Sequence, residues 1–304
     1  MGRVTVRNRL LLLVAAALAP MAVCAIVAAL QLMEQGRGIV ELDAVGRGRS
    51  AMSAIDAHLR GTILALRVLG TSKNLESGDI VAFHAEARRN LEGELPWVNI
   101  TLMAPNGEVL FNAVYVYGKP EPRPPLNDSL EATANGTKVA VGNVRSGSVV
   151  RNPTVRVNVP VLFKGQAGYV LVVPMNMNQF ADVLQAQKLP ETWTITLMDR
   201  EKHIIAALPK VPTGTPVPDE LRRATERAPE GWTRIEDADA AVAYTAHVTS
   251  DLSGWVLAIG VPPDYAEAGT RRSLAILLAG VLLALAVGIF LAWLMARDAS
   301  DSRA

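Results

Sequence analysis

Polar side chains recur at alternate positions of extended segments in the first half of the chain, where they could bind a small solute. Residues 97–103 alternate apolar and polar types, and residues 154–162 do the same with valines at the odd positions. Because successive side chains of a strand point to opposite faces of a sheet, the polar positions should share one face. These positions are Asn99, Thr101, Asn112, Arg156 and Asn158.

Two arginines and a tyrosine add to this polar face and indicate its chemistry. Arg145 and Arg151 flank a short loop ahead of the segment 154–162, and Tyr115 follows Asn112. A planar guanidinium can bond both oxygens of a carboxylate, while amide and hydroxyl groups can bond the rest of a small molecule. The set therefore predicts a site for a small carboxylate. An ordinary solvated face would carry the same residues, and the sequence leaves that alternative open.

The other reactive residue types show no catalytic or metal-binding arrangement. His58, His84, His203 and His247 are scattered, without the i, i+4 spacing of a metal-binding helix. The single cysteine, Cys24, lies in an apolar run, and no Gly-x-Ser-x-Gly motif is present. We therefore expect a binding protein rather than an enzyme, with no metal and no cofactor.

Composition and charge narrow the class of partner. Apolar residues make up 50% of the chain and charged residues 19%, which is too apolar for a disordered protein. The formal net charge is only +1, so no overall field would attract a phosphate polymer. Nucleic acid is not an expected partner.

The apolar residues concentrate in two uncharged runs, 10–33 and 273–296, which are predicted to be transmembrane helices. At about 1.5 Å per residue, either helix would exceed the roughly 30 Å of a bilayer core. Basic residues precede the first run without acidic ones, so we expect residues 1–9 in the cytoplasm, 34–272 outside it, and 297–304 as a cytoplasmic tail. Cleavage of the first run as a signal peptide is the alternative.

A long stalk helix is predicted over 34–72. Apolar residues recur every seven positions, at Val45, Met52, Leu59 and Leu66. Further apolar residues fill the intermediate positions, namely Leu42, Ile55, Ile63 and Leu69. The helix could pack only on its own domain, or it could also meet its copy in a homodimer, and the two interpretations are compatible.

Beyond a short predicted helix at 79–91 the apolar period changes to two, which indicates strands. The predicted strands are 97–103, 108–114, 154–162, 169–173, 193–198, 203–207, 231–236, 240–248 and 255–261. Ile-Thr-Leu-Met at 100–103 returns at 195–198, and Gly-Tyr-Val-Leu at 168–171 returns as Gly-Trp-Val-Leu at 254–257. This repeat predicts a duplicated antiparallel-sheet module, over 73–187 and 188–270, with inserted helices at 127–134 and 219–227.

Several short motifs carry a resemblance to a known family. They are Asp-Ile-Val-Ala-Phe-His at 79–84, the Trp97 segment with Asn-Gly at 106–107, Val-Arg-Val-Asn-Val-Pro-Val at 155–161, Pro-Glu-Gly-Trp at 229–232 and Leu-Ser-Gly-Trp-Val-Leu-Ala-Ile-Gly-Val-Pro at 252–262. With the two apolar runs, they make residues 10–297 resemble the double Cache region, two tandem PAS-like modules, of bacterial sensor histidine kinases and chemoreceptors. The resemblance implies an α+β fold with a long N-terminal helix and two Cache modules between transmembrane helices.

The resemblance also implies a function. A receptor of this family spans the bacterial cytoplasmic membrane twice and binds a small solute in its membrane-distal module, here 73–187, beneath the inserted helices. A homodimer is expected because a relative motion that carries a signal needs a second subunit to move against. The membrane-proximal module, 188–270, is expected to be packed and ligand-free. The Tyr, Arg, Trp, Tyr and Asp set of amino-acid-binding members is not found, which argues against an amino-acid ligand.

The expected function is therefore a membrane-anchored sensor that relays a conformational signal. A HAMP or kinase module usually follows the second span but is not found in 297–304, so we expect a separate cytoplasmic kinase or signalling protein as partner. Two alternatives stay open: a membrane-tethered scaffolding protein without a small-molecule ligand, and the truncated N-terminal part of a sensor kinase.

Overall fold

The computed structural model describes residues 6–93, 97–104, 106–118, 138–146, 153–163, 166–236 and 242–301. The chain divides into two compact units. The larger unit is Ala44–Val261, and the smaller one combines the two terminal segments, Met1–Asp43 and Pro262–Ala304. The predicted site residue Arg151 and the predicted helix 127–134 lie outside the described residues.

The larger unit contains several short helices, two of which begin at a side-chain cap. In chain order the helices are α1 (Val6–Leu69), α2 (Lys73–Glu76), α3 (Ile80–Leu91), α4 (Asn178–Gln185), α5 (Asp219–Arg227) and α6 (Pro263–Asp301). Asp79 starts α3 because its carboxylate accepts a hydrogen bond from the Ala82 amide at 2.9 Å, satisfying one of the free amides of the first turn. The predicted helices 79–91 and 219–227 agree with α3 and α5.

The smaller unit consists of helix, contributed by the outer parts of α1 and α6. Among the residues that the structure describes, no helical stretch combines the length and the apolar character needed to cross a membrane. The two transmembrane helices inferred from the sequence therefore stay predictions.

Two antiparallel sheets form the larger unit, as expected for the α+β class. The first contains β1 (Thr101–Met103), β2 (Val109–Asn112), β3 (Ala140–Val141), β4 (Arg145–Ser146), β5 (Pro153–Phe163) and β6 (Gln166–Met175). Its strands lie in the order β2-β1-β6-β5-β3, and β4 also pairs with β5. The second contains β7 (Thr194–Met198), β8 (Ile204–Leu208), β9 (Glu230–Glu236), β10 (Val242–Thr249) and β11 (Val256–Val261), in the order β8-β7-β11-β10-β9.

The sequence repeat corresponds to a repeat of strand register. Leu102 of the first Ile-Thr-Leu-Met pairs with Leu171, and Leu197 of the second pairs with Leu257. A break in register follows each of these two leucines where its strand meets the next one, after Leu102 against β2 and after Leu197 against β8. The two sheets are therefore built on one pattern, down to the position of the irregularity.

The inner part of α1 packs on both sheets through the predicted seven-residue stripe. Val45, Met52, Leu59 and Leu66 are all buried. A Cβ on Gly48 would lie 3.2 Å from Val248 on β10, and one on Gly70 would lie 3.1 Å from Val161 on β5, so the helix approaches both sheets closely. Packing within the domain is thus present, and the homodimer stays a prediction.

Some sequence expectations differ from the structure. Leu42, assigned to the buried stripe, is 76% exposed. The strand predicted over 97–103 is continuous only from Thr101, because Trp97 bridges Met175 while the Val98 amide bonds the Pro174 carbonyl, which shifts the register by one residue. The elements α2, α4, β3 and β4 were not predicted at all.

Candidate functional site

The predicted polar residues lie on one face of the first sheet, opposite the face that meets α1. Thr101 pairs with Asn112 on one side and with Val172 on the other, and Val172 pairs with Asn158. Directly paired residues of antiparallel strands project to the same face, with Cβ atoms about 4.5–5.5 Å apart. These residues therefore form one row across four strands. Arg156 lies two positions from Asn158 on β5 and projects to the same face.

This polar face is buried rather than solvated. The exposed fractions are 3% for Asn99, 7% for Thr101, 5% for Asn112, 8% for Arg156 and 1% for Asn158. A face turned to water would leave such side chains largely exposed, so the alternative of an ordinary solvated face is wrong. Buried amide and guanidinium groups need partners, because each costs free energy when it is removed from water without a hydrogen bond.

Asn99 is incompletely satisfied within this face. Its amide nitrogen donates to Thr101 Oγ1 at 3.0 Å, which confirms that the two side chains lie together. Its Oδ1 is buried and has no hydrogen-bond partner among the described residues. An acceptor in that position calls for a donor, such as the hydroxyl group of a bound molecule.

Arg156 gives the face its charge. Among the described residues, no hydrogen bond or ion pair of its guanidinium is found, and its neighbour in charge is another cation, Arg145. Burial, and then the positive charge of Arg145, lower the pKa of Arg156. An arginine nevertheless stays protonated in a protein, so the site holds a buried positive charge. An anion is the chemical partner that the described residues do not supply to this guanidinium.

The remaining predicted residues are placed at the edge of the face. Arg145 pairs with Thr154 across β4 and β5, and Thr154 alternates with Arg156, so Arg145 belongs to the same face. Tyr115 lies in the turn after β2, where its carbonyl is 3.0 Å from His84 Nε2. The structure therefore brings Arg145 to the polar row and places Tyr115 beyond its end.

Arg145 also reaches the second sheet, a contact that the sequence did not predict. Its guanidinium forms a bidentate ion pair with Glu201, with Nη1 donating to Oε2 at 2.8 Å and Nη2 to Oε1. Arg145 lowers the pKa of the Glu201 carboxyl to about 2. Asn143 adds a hydrogen bond to the same carboxylate, at 2.8 Å.

The turn between β7 and β8 holds the segment 141–145 at further points. The buried carboxylate of Asp199 accepts from the Val144 amide at 2.8 Å, and Arg200 donates to the Val141 carbonyl at 2.9 Å. The Trp255 indole donates to the Gly142 carbonyl at 3.2 Å. A signal for this contact was present in the sequence, since four consecutive charged residues, 199–202, occupy a hairpin turn.

The corresponding row of the second sheet has a different composition. Its members are Ala207, Thr196, Ala258, His247 and Gly231, which occupy the register positions of Asn112, Thr101, Val172, Asn158 and Ala140. Thr245 stands where the first sheet has Arg156. The second sheet thus has neither the charge nor the two asparagines of the first. In the described part of the chain, no cluster of three metal-ligating side chains is found in either sheet.

Comparison with solved structures places this architecture. The chain is similar to the ligand-binding domain of the Pseudomonas aeruginosa PAO1 amino acid chemoreceptor PctB in complex with L-arginine, at 16% identity and a TM-score of 0.56, covering 75% of this chain and 97% of that one. The fold is that of a sensor ligand-binding domain. The chain is also similar to the ligand-binding domain of the Pseudomonas fluorescens chemoreceptor CtaA in complex with L-isoleucine, at 12% identity and a TM-score of 0.57, covering 77% of this chain and 95% of that one.

A kinase sensor domain shows the same likeness. The extracellular domain of the proposed histidine kinase rpHK1S-Z16 is 13% identical, with a TM-score of 0.56, and the match covers 76% of this chain and 98% of that one. No protein-family model and no curated protein sequence matches the chain. At these identities the comparisons establish the fold, and they agree with the double Cache resemblance.

Proposed function

We propose that this chain is a membrane-anchored sensor whose first sheet module binds a small carboxylate on the buried polar face. The module binds its ligand without chemically changing it, since the described residues of the site offer a fixed positive charge and hydrogen-bonding groups and include no activated nucleophile. The second module carries no ligand and transmits the change in the first. Arg156, Asn99, Thr101 and Asn158 are the residues expected to contact the ligand.

One observation carries this proposal: Arg156 is buried, with 8% of the residue exposed, and its guanidinium has no counter-charge among the described residues. Leaving a charge in such a place is unfavourable, so a fold that retains it gains when an anion binds. A carboxylate suits the planar guanidinium, and Asn99 Oδ1 can accept a hydrogen bond from a hydroxyl on the same ligand. The corresponding row of the second sheet supports the division of roles, because it lacks the arginine.

The similar chemoreceptor domains were solved with L-arginine and L-isoleucine, both of which carry a carboxylate. We propose a carboxylate without a required ammonium group, since the aromatic and acidic set expected for an amino acid is not found in the sequence. Amino acids therefore form a separate arm of the test.

The proposal includes the membrane and the signalling partner. Residues 10–33 and 273–296 would be the two spans of a bacterial cytoplasmic membrane protein, with 34–272 outside. A homodimer would use the outer side of α1, where Leu64 and Val68 are 58% and 71% exposed. A cytoplasmic kinase or other signalling protein would receive the signal.

Thermal unfolding of the full chain in detergent micelles, followed by tryptophan fluorescence, tests the proposal. Acetate, L-lactate, succinate and benzoate form one arm, amino acids a second, and sodium chloride of equal ionic strength the control. A ligand at 100 times its dissociation constant stabilises the fold by about 2.7 kcal/mol. Stabilisation by a carboxylate that Arg156→Gln removes supports the proposal. If no compound shifts the transition, the chain is better explained as a scaffolding protein. A shift that survives in Arg156→Gln would place the binding site away from the buried polar face and refute the proposed site.

A further inference from the structure

We infer that Arg145 serves two carboxylates in turn: Glu201 of the second module when the site is empty, and the ligand when it is occupied. The Arg145–Glu201 pair is then a latch between the modules that the ligand opens. This inference rests on the proposed function, because it assigns a regulatory role to a residue of the same site.

Arg145 lies beside Arg156 on the polar face of the first sheet. Its strand, β4, pairs with β5 so that Arg145 is opposite Thr154, one alternate position from Arg156. The two guanidinium groups are close enough for the charge of Arg145 to act on Arg156. A carboxylate bound at Arg156 would therefore lie within the field of Arg145 and attract it.

In this structure the Arg145 guanidinium binds the Glu201 carboxylate of the second module. The Glu201 carboxylate accepts hydrogen bonds from both terminal nitrogens of Arg145, and the side chains of Arg145 and Glu201 are 41% and 42% exposed. Exposed pairs of this kind are weak, contributing about 0.2–1 kcal/mol. A pair so easily replaced suits a contact that must be exchanged during binding.

Exchange of Glu201 for the ligand would weaken the attachment of residues 141–145 to the second module. Residues 141–145 are held to the second module by Glu201, Asp199, Arg200 and Trp255. The same segment is joined to the ligand face, since the Gly142 amide donates to the Arg156 carbonyl at 2.7 Å. Loss of the Glu201 contact would loosen one of these attachments, so the occupancy of the first module would change how firmly it is held to the second.

Competition for Arg145 gives a prediction with an unexpected sign. If Glu201 withholds Arg145 from the ligand, then Glu201→Gln should tighten ligand binding, although Glu201 belongs to the other module. Release of an exposed pair corresponds to a tightening of the dissociation constant by at most about five-fold. A merely structural role for Glu201 predicts unchanged or weaker binding.

The test is titration of the full chain in detergent with sodium acetate, L-lactate, succinate and benzoate, using the unfolding temperature to obtain apparent dissociation constants. The variants are Glu201→Gln, Arg145→Gln and the double variant. Glu230→Gln is the matched control, because it removes a different arginine–glutamate pair, with Arg49, in the same unit. Arg156→Gln reports on the site itself.

The expected result is tighter binding in Glu201→Gln, unchanged binding in Glu230→Gln, weaker binding in Arg145→Gln, and no further effect of Glu201→Gln when Arg145 is absent. Equal or weaker binding in Glu201→Gln, while Arg156→Gln still abolishes it, would overturn the latch and leave the proposed function standing. If none of these acids stabilises the wild-type chain, the proposed function fails and the latch fails with it.

Discussion

Replacing the buried charge at the centre of the site should make the empty protein more stable. Arg156→Met keeps a long, flexible side chain of similar reach but removes the guanidinium. Arg156 as a residue is 8% exposed, and no counter-ion for it is found among the described residues. Among the described residues nothing compensates the guanidinium for its removal from water, so its burial is expected to lower stability; burial is also the main cause that lowers the pKa of Arg156. Methionine can fill the same space with apolar atoms.

The magnitude follows from the degree of burial. Replacing buried ionic groups by apolar side chains of similar volume is neutral or stabilising by about 1–4 kcal/mol. We expect the lower half of that range, about 1–2 kcal/mol, because Asn99 and Asn158 remain in the site and lose a polar neighbour. For a unit of this size, each kcal/mol raises the unfolding temperature by about 2–4 °C.

The assay is thermal unfolding of wild type and Arg156→Met without ligand, followed by the carboxylate titration. Arg200→Met is the matched control, since Arg200 donates to the Val141 carbonyl and to Asn143, so its loss should lower the unfolding temperature. Arg156→Met should unfold at a higher temperature and no longer respond to carboxylates. A lower unfolding temperature for Arg156→Met would refute the reasoning, because it would mean that the protein itself satisfies the guanidinium.

Three further variants test other contacts of the larger unit. Ser250→Ala removes a hydroxyl that donates to the buried Asp56 at 2.7 Å, and it should cost about 1.5–3 kcal/mol in chemical denaturation, whereas a cost below 0.5 kcal/mol, roughly, would contradict the contact. The free energy of unfolding of wild type should fall by up to about 1 kcal/mol as pH decreases from about 4.5 to about 2, because the folded-state pKa of Glu201 is lowered to about 2 and the unfolded chain binds the proton first. Glu201→Gln should lose less stability over the same pH range, and a loss equal to that of wild type would show that the ion pair contributes nothing. Gly231→Ala places a Cβ 2.8 Å from the His247 ring and should cost about 1–3 kcal/mol by calorimetry, so a neutral effect would mean that the ring moves freely.

Strand alternation was a sufficient guide to which residues share a face. Asn99, Thr101, Arg156 and Asn158 lie together because a two-residue period leaves little freedom once the valines of β5 face α1. The burial of that face could not be predicted, since a polar row looks the same under solvent and under protein. The sequence thus predicts which residues share the polar face but not the cost of burying its charge, and the use of that face as a ligand site stays a prediction.

Contacts between segments that are distant in the sequence could not be predicted, because strand and helix periodicity does not say which loops meet. Arg145 and Glu201 are 56 residues apart and meet only because one module's loop lies against the other's hairpin. Short elements such as α4 and β4 carry too few residues to show a period. Leu42 fits the apolar period of α1, yet it is 76% exposed, because periodicity identifies a stripe without saying where along the helix its partner surface ends.

The shared register of the two sheets has an evolutionary consequence. A duplicated module starts with two copies of every side chain, and either copy can accept substitutions that the other cannot while the strand pairing stays intact. Leu102–Leu171 and Leu197–Leu257 preserve that pairing, whereas Arg156 in one copy is matched by Thr245 in the other. If the first sheet binds the proposed ligand, the second sheet is a version of the same scaffold without the charged residue, and the few positions that distinguish the two sheets are the natural ones to exchange when new specificities are designed.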